Sequence, residues 1–495
     1  MRNKALVFAL LGATLILSFP GVASGAAFTV LHSFSGPDGE TPAAPLVQSA
    51  DGLIYGVAAH GGDFTVLPPD GGGTIFRMDA SGAVTTLHTF AGPEGAWPTG
   101  LIQGRDGFFY GTASYGGQEG ISSLLPGGGT IFRMDAAGVV TVLHVFPGWT
   151  ADRYPGPIVQ GADGALYGSA LGGVGWGFVY RFDPVTGDFR HLHDFVSSDG
   201  KFPAGPLFQG SDQSFYGTTR QGGQWNSGVV YKVDVLGNFV LLHSLSPLYP
   251  GEGSEMKGGV IQASDGFFYG TTESGYGSVF RMDAAGNFTV LHRFDPYASD
   301  GWRPVSGLIE GRDGFLYGTA PSGGRNPAVA PSPYGVVYRM DKSGGFTVLR
   351  SFSGPDGRRP LAALMQGVDG LLYGSTSLGG TSGLGVLFRM EPVVSTPIPL
   401  PGLAQLAFSP GQVVGGKSST GTLWLHGPAP SGGAVVTLSS NSPAVASVPA
   451  TVTVPAGAWT TSFAVSTKRV AKTRTVGITA SYNGVSISAK LIVTR

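Results

Sequence analysis

Apolar and polar residues alternate along this chain in short runs of roughly six, and the runs come in sets of four. The sixth set shows the plan: SGLIEG (306–311), FLYGTA (315–320), GVVYRMD (335–341) and FTVLRSF (346–352). Alternation over this length predicts half-buried strands. Arg312–Gly314 joins the first two runs and Asp341–Gly344 the last two, both of hairpin length and turn-forming composition. No window combines a 3.6-residue period with capping residues. Each set is therefore predicted to be a four-stranded antiparallel sheet, and the chain to be all-β.

The plan recurs. An Asp turn followed by a Tyr-Gly strand stands at Asp51–Gly56, Asp106–Gly111, Asp163–Gly168, Asp212–Gly217, Asp265–Gly270, Asp313–Gly318 and Asp369–Gly374. A run of the type GTIFRMD (73–79) follows each, and a TVLHSF-type run occurs at 29–34 and around His88, His144, His193, His243, His292 and Arg350. A period of roughly 50 residues with four strands per copy predicts the blades of a β-propeller. The signatures are out of phase by one strand. A TVLHSF run opens the array with no sheet before it, and GVLFRME (385–391) ends it with no such run behind. The N-terminal strand is thus expected to complete the last sheet, closing a seven-bladed propeller over 27–391 and removing two free edges.

With these motifs in view, the unit resembles the GloVer tandem repeat of exported bacterial proteins with varied C-terminal attachments. The departures are single swaps: Gln213 for the turn glycine, Lys232 for Arg and Arg350 for His. The resemblance bears on architecture and implies no activity. The strand plan is also similar to NHL propellers, which implies that the run before the Asp turn is innermost and the TVLHSF run outermost.

Residues 403–495 carry a different pattern. GTLWLHG (421–427), AVVTLSS (434–440), TVTVPAG (451–457), TTSFAVS (460–466), TVGITASY (475–482) and VSISAKLIV (485–493) alternate without the repeat and predict a seven-strand Ig-like sandwich. SPAVASVPATVTVPAG resembles bacterial Ig-like modules of surface and secreted proteins. Charge changes at the same place. Residues 27–391 hold 21 Lys+Arg against 31 Asp+Glu, whereas 392–495 hold seven basic residues and no acid. The shift marks a boundary near Glu391, and the Pro-rich stretch 392–402 reads as a stiff linker.

Residues 1–26 read as an export signal: Arg2 and Lys4, an apolar stretch over 5–19, then small residues near Gly25 and Ala26. No later segment is long and apolar enough to cross a bilayer as a helix. Export to the extracellular space or cell envelope and a monomeric chain are expected. Cysteine is absent, which excludes disulfides, thiol catalysis and Cys metal sites. The 83 glycines fall at fixed repeat positions, so they read as turns and not as low complexity.

Little catalytic chemistry stands out. Gly411–Ser418 satisfies the phosphate-loop pattern, but a strand follows it and the domain lacks the carboxylate that magnesium needs. The absence of acids there also excludes calcium sites. Histidines at one repeat position lie far apart round a ring and cannot share a metal. They read as packing and hydrogen-bonding residues between blades, with the repeated Arg and Tyr as candidate partners, and His60 as surface scatter. Lys468, Arg469, Lys472 and Arg474 read as a solvated loop or an envelope contact. A balance of −10 over 27–391 argues against nucleic acid. No cofactor, metal or catalytic residue is assigned.

Two sets of residues are candidates for binding. Gln48, Gln103, Gln160, Gln209, Gln262, Gln366 and, in the sixth copy, Glu310 occupy equivalent places on the first strand. They would line a channel and bind water, an ion or a sugar, or else satisfy backbone groups. Trp97, Trp149 and Trp302 fall in loops between units, and Trp176 and Trp225 in loops between second and third strands. In a four-stranded blade those loops share one face, joined there by Tyr115, Tyr154, Tyr249, Tyr297 and Tyr334. The longest second-to-third loops (56–72, 111–128 and 318–334) crowd one sector of it. Such rings suit a sugar or a protein partner, or they pack down as lids. The expected function is an exported, non-enzymatic binding or scaffold protein for a polysaccharide or cell-surface protein. The alternatives are a polysaccharide hydrolase or lyase, whose acid–base pair would come from Asp152, Asp199, Glu252, Glu255, Asp300 and Glu119, or a structural envelope protein.

Overall fold

The computed structural model describes residues 27–49, 51–65, 67, 69–117, 127–148, 152–172, 175–246, 252–295, 300–324, 334–392, 403–425, 434–455, 458, 460–482 and 485–495. The expected export signal and most of the expected linker lie outside them. Every regular element among the described residues is a strand. No helix among them is long and apolar enough to cross a membrane.

Seven sheets of four antiparallel strands follow one another along the chain. The first contains Val47–Gln48, Ile54–Ala58, Thr74–Met78 and Val84–Thr89. The seventh contains Met365–Gln366, Leu372–Thr376 and Val386–Met390, and its fourth strand is Phe28–Ser33, paired antiparallel with Val386–Met390. The second strands are buried at nearly every position and the third at all but the Arg or Lys. Strands covered on both faces read as near-continuous apolar runs. The fourth strands lie at a sheet edge, half exposed, and keep the alternation. The first strands are shorter than their sequence pattern predicts. Five contain only two residues, and only Ala96–Gln103 and Lys201–Gln209 run longer. Pro and Gly precede the Gln in the two longer strands as well, so they do not account for the difference.

The recurring signatures have physical causes. Each Tyr-Gly glycine faces an aromatic residue of the third strand, as Gly56 faces Phe76 and Gly318 faces Tyr338. A Cβ at these glycines would come within 2.4–2.5 Å of that ring or its hydroxyl. The neighbouring Tyr hydroxyl donates to the turn Asp, as Tyr110 does to Asp106 (2.7 Å) and Tyr317 to Asp313 (2.6 Å). The other Asp oxygen accepts the amide two residues on, as from Phe108 and Phe315.

Junctions between sheets repeat as well. Gly73, Gly129, Gly177, Gly277, Gly335 and Gly385 each open a third strand with a positive φ, and a proline of the following unit sits against each. A Cβ there would lie 2.4–2.8 Å from that proline's Cδ. At Gly385 the proline is Pro42, which joins the seventh sheet to the first.

Residues 403–495 form two further sheets. One is ordered Leu403–Ser409, Ser418–Leu425, Thr460–Thr467, Ala446–Ser447, and the other Gln412–Val414, Val485–Thr494, Arg474–Tyr482, Ala434–Ser440, Thr451–Val454. They share one core that includes Leu423, Val436, Val465, Val476, Ile478 and Leu491. The strands number nine, not the seven expected. Gln412–Val414 and Ala446–Ser447 are too short to show a period. In the phosphate-loop look-alike, Lys417 N–H donates to Val414 C=O and the strand Ser418–Leu425 follows.

Candidate functional site

The loops after the fourth strands meet the loops between second and third strands, so both belong to one face. Backbone bridges join Glu40 to His60, Pro155 to Ala170, Trp302 to Ser322 and Arg358 to Leu378. At the start of each unit one residue is left-handed: Thr41, Trp97, Tyr154, Phe202, Glu255, Arg303 and Arg359, with φ between 55° and 59°. Six of them precede the junction proline, and Glu255 precedes Met256. Each amide donates to a carbonyl of the preceding unit, as Trp97 does to Gly72 (2.8 Å), Phe202 to Trp176 (2.7 Å) and Thr41 to Leu384 (3.1 Å). A following proline disfavours the right-handed helical region, and the left-handed one costs a bulky residue about 1–2 kcal/mol. The junction bond and the seated proline hold that strain in place. These residues form a set on the loop face, one per unit, that their types did not reveal in the sequence.

On three consecutive units the left-handed residue is aromatic, and there the predicted residues gather. Trp97 lies edge-on to Tyr115 (4.4 Å between centroids), and Tyr115 lies 5.0 Å from Tyr154. Trp97 Nε1–H donates to Gly71 C=O at 3.2 Å. Burial, and then the Tyr154 hydroxyl, push the Tyr115 phenol above its ordinary range. His60 packs edge-on against Trp97 at 5.0 Å, so it belongs to this cluster and is not surface scatter. Trp176 stands apart, 43% exposed, with Phe202 at 5.6 Å and Lys201 Nζ 4.6 Å from its ring centre. Trp225 is 42% exposed. Trp302 is half-buried, with Tyr276 at 6.3 Å. Trp149, Tyr249, Tyr297 and Glu119 lie outside the described residues. Arg153, Lys201 and Phe202 were missed in the sequence, although each flanks the variable-residue–proline step that opens a unit.

The seven first-strand positions are engaged with the backbone of the tight turns. Gln48 Nε2–H donates to Gly52 C=O and Gln160 Nε2–H to Gly164 C=O, both at 3.0 Å. Gln103, Gln209, Gln262 and Gln366 do the same in their own turns. The Gln oxygen reaches the preceding unit: Gln160 accepts from Arg105 N–H, Gln209 from Ala162, Gln262 from Ser211 and Gln366 from Arg312. Gln48 accepts from Val368 N–H at 2.8 Å and so links the seventh unit to the first. Glu310 accepts from Ser264 N–H and Oγ–H and pairs with Lys342 at 2.6 Å. Burial raises its carboxyl, but Lys342 and Ser264 outweigh that and leave it lowered.

Five of the six repeated histidines lie against carboxylates, not against the repeated Arg and Tyr, while His144 stacks on Phe189 at 4.1 Å. His32 Nε2–H donates to Asp38 (2.6 Å), His193 to Asp199 (3.1 Å) and His292 to Asp300 (3.0 Å). His88 and His243 approach Glu94 and Glu252 at 3.4 and 3.5 Å without hydrogen-bond alignment. Arg350 takes the same place against Asp356. The histidine ring also stacks on the next unit's fourth strand, as His193 does on Phe239 (3.7 Å) and His292 on Phe346 (3.9 Å). Asp152 accepts from His191 at 2.8 Å. Asp152, Asp199, Glu252 and Asp300 are thus each held by a histidine, and Glu255 is one of the left-handed residues. Among the described residues no group of His, Asp and Glu could hold a metal ion.

Fold and site together define a repeat-built, β-rich protein with one elaborated loop face. Residues 19–155, 122–330 and 273–437 match the Gloeobacter/Verrucomicrobia repeat, and the chain belongs to that family. The last match runs past Glu391 into the strand Ala434–Ser440. No protein with a curated description matches the chain. Among solved structures it is similar to a fungal alcohol oxidase of the AA5 family in complex with copper, with TM-score 0.49 and 13% identity over 96% of this chain and 100% of that one. A putative exo-beta-1,3-galactanase from Bifidobacterium bifidum gives TM-score 0.31 and 13% identity over 56% of this chain and 94% of that one. An endo-arabinase from Bacteroides thetaiotaomicron gives 0.29 and 12% over 53% and 99%. These likenesses are too remote to bear on the site.

Proposed function

We propose that the chain is an exported, non-enzymatic binding or scaffold protein whose loop face holds a glycan or a protein partner. Residues 27–391 close into a seven-bladed propeller, with Phe28–Ser33 as the fourth strand of the last blade. Residues 1–26 direct export, 392–402 are a linker, and 403–495 are an Ig-like sandwich serving as spacer or attachment module. Three links between the seventh unit and the first support closure: the strand pairing, Gly385 against Pro42, and Gln48 with Val368.

The observation that carries the functional reading is the run His60, Trp97, Tyr115 and Tyr154, three of them flat rings with few rotors on the elaborated face. Two of the four are held in left-handed backbone, and strain of this kind gathers at ligand sites. The exposure of Trp176 and Trp225 favours platforms over lids. The histidine partners of the loop-face carboxylates favour binding over acid–base catalysis. The test is iodide quenching of tryptophan fluorescence across a panel of cell-wall and plant polysaccharides. One polysaccharide is expected to protect the fluorescence. Trp97→Asn with Tyr154→Asn, chosen because Asn tolerates the left-handed region, is expected to abolish that protection while the melting temperature holds. Protection that survives the double variant would remove this cluster from the site.

A further inference from the structure

Repetition separates the contacts that build this fold from those that do not. Beside the tight turns, Arg133 lies over Phe108, Arg281 over Phe267 and Arg339 over Phe315, at 4.6–4.7 Å and at one repeat position. The loop face also sets cations against rings, at one shared repeat position for Lys201 with Trp176 and Arg358 with Tyr334 and at other places for Arg153 and Arg303. Lys201 Nζ lies 4.6 Å from the Trp176 ring centre, Arg153 5.1 Å from Tyr154, Arg358 5.9 Å from Tyr334 and Arg303 6.0 Å from Trp302. The repeat does not demand these pairs. Each places a positive charge beside an aromatic ring that is at least partly accessible.

At three of these four pairs, those of Lys201, Arg153 and Arg358, the charge has no local counter-ion among the described residues, whereas Arg303 pairs with Glu273. Asp38, Glu94, Asp199, Glu252, Asp300 and Asp356 on the same face each have a His or Arg of the adjoining fourth strand. Among the described residues, no carboxylate lies at ion-pair distance from Arg153, Lys201, Arg358 or Arg359. Arg358 and Arg359 are exposed side by side. The buried Glu273 answers two cations at once, Lys257 at 2.6 Å and Arg303 at 2.7 Å. A unit array of net negative charge thus carries free positive charge on its aromatic face. Against it on the same face stand Glu40, Glu255, Asp63 and Asp70, and the carboxylates whose partner is a histidine keep their charge unless that imidazole is protonated.

We propose that the loop face binds an anionic polysaccharide bearing uronate carboxylates or sulfate esters. Its sugar rings lie on the aromatic platforms and its acidic groups on Arg153, Lys201, Arg358 and Arg359. Guanidinium groups match planar or tetrahedral oxyanions through paired N–H donors, and a ring beside each cation adds the apolar contact a pyranose face needs. The proposal rests on the glycan reading above and narrows it by charge.

The experiment is affinity electrophoresis of the purified chain at pH 7 in gels containing polygalacturonate, its methyl ester, dextran sulfate or dextran. The expected result is retardation by at least one acidic polymer and about tenfold weaker binding to its neutral twin. Raising salt towards 0.5 M is expected to weaken that binding, since exposed charges are screened. Arg358→Gln with Arg359→Asn is expected to weaken it about tenfold, equivalent to about 1.4 kcal/mol, at an unchanged melting temperature. Equal binding to acidic and neutral twins would overturn the charge assignment and leave the glycan reading standing. Retardation by none of the four would overturn both. Competition by poly-glutamate at matched charge, as strong as by the acidic polymer itself, would overturn the sugar in favour of an acidic protein.

Discussion

Tyr180 and Tyr338 bury hydroxyls that find no partner among the described residues. Burial drives both phenols far above their ordinary range, so ionisation offers no relief. Their rings cover the Tyr-Gly glycines, a task that Phe76, Phe132, Phe280 and Phe388 perform elsewhere. Tyr338→Phe keeps the ring and removes the orphaned donor. It is expected to raise stability by about 1 kcal/mol, measured by urea unfolding; a loss of that size would reveal a partner for the hydroxyl. Gln213 is a second such residue. It stands where the other units have a turn glycine and has a φ of 68°. Left-handed backbone costs a non-glycine residue about 1–2 kcal/mol, while the greater freedom of an unfolded glycine returns about 0.4–1. Gln213→Gly should therefore stabilise by about 0.5–1 kcal/mol in the same assay, and a neutral or negative change would show that the Gln side chain compensates. The sequence showed that Gln213 was irregular because six companions differ from it. It did not show that Trp97, Tyr154 and Phe202 share one backbone state. Their types vary, and φ leaves no mark on a residue's identity except through the proline that follows.

At the scale of the element, what was legible is what repeats. Strands two and three, covered on both faces, were legible as near-continuous apolar runs, and the half-exposed fourth strands as the TVLHSF-type repeat. The first strands had the pattern without the full ladder, five of them pairing over only two residues. The glutamines were found by position, but their role depends on partners some 50 residues away in sequence, such as Arg105 for Gln160. The pairs Lys201–Trp176 and Arg358–Tyr334 were illegible for the same reason, since their members belong to different units. The strand Phe28–Ser33 was legible through a mismatch of phase. Phe28 stacks on Phe388 at 5.3 Å and carries Arg350 over its ring at 4.3 Å. Deleting residues 27–33 uncovers the edge of Val386–Met390 and removes the partly buried Phe28 and Val30. The expected cost is about 3–6 kcal/mol, seen as a fall of roughly 5–10 °C in melting temperature. An unmoved melting point would mean that this strand does not hold the seventh unit to the rest of the array.

Over the whole molecule, the loop face is tied down by acid–base pairs, and their titration sets how the array responds to pH. Burial pushes His144 and His193 below their ordinary value of 6.5, with the charges of Asp152 and Asp199 only partly offsetting it. Their unfolded imidazoles take up a proton below about pH 6.5 that the folded ones refuse, so stability present above that pH is lost as pH falls towards the folded values. The carboxylates act lower. Burial raises Asp38, Glu94 and Asp356, but bonds from Ser35 and His32 to Asp38, the nearby His88 imidazole and a bond from the Ala91 amide at Glu94, and bonds from Arg350 and Ser353 to Asp356 outweigh it and hold all three below their ordinary range. Their contribution is complete above about pH 4.5 and disappears as pH falls through the lowered folded values. Melting temperature measured from pH 8 to pH 3 should therefore be level above 7, decline gently between 6.5 and 5, and drop steeply below 4. A rise between 7 and 5 would mean that the imidazoles gain a proton on folding, with the carboxylate charge outweighing burial. His193→Gln should flatten the gentle decline and leave the steep one, because it removes one of the two depressed imidazoles and none of the three carboxylates. If His193→Gln flattened the steep decline instead, the loss of the loop face in acid would have to begin at its histidines.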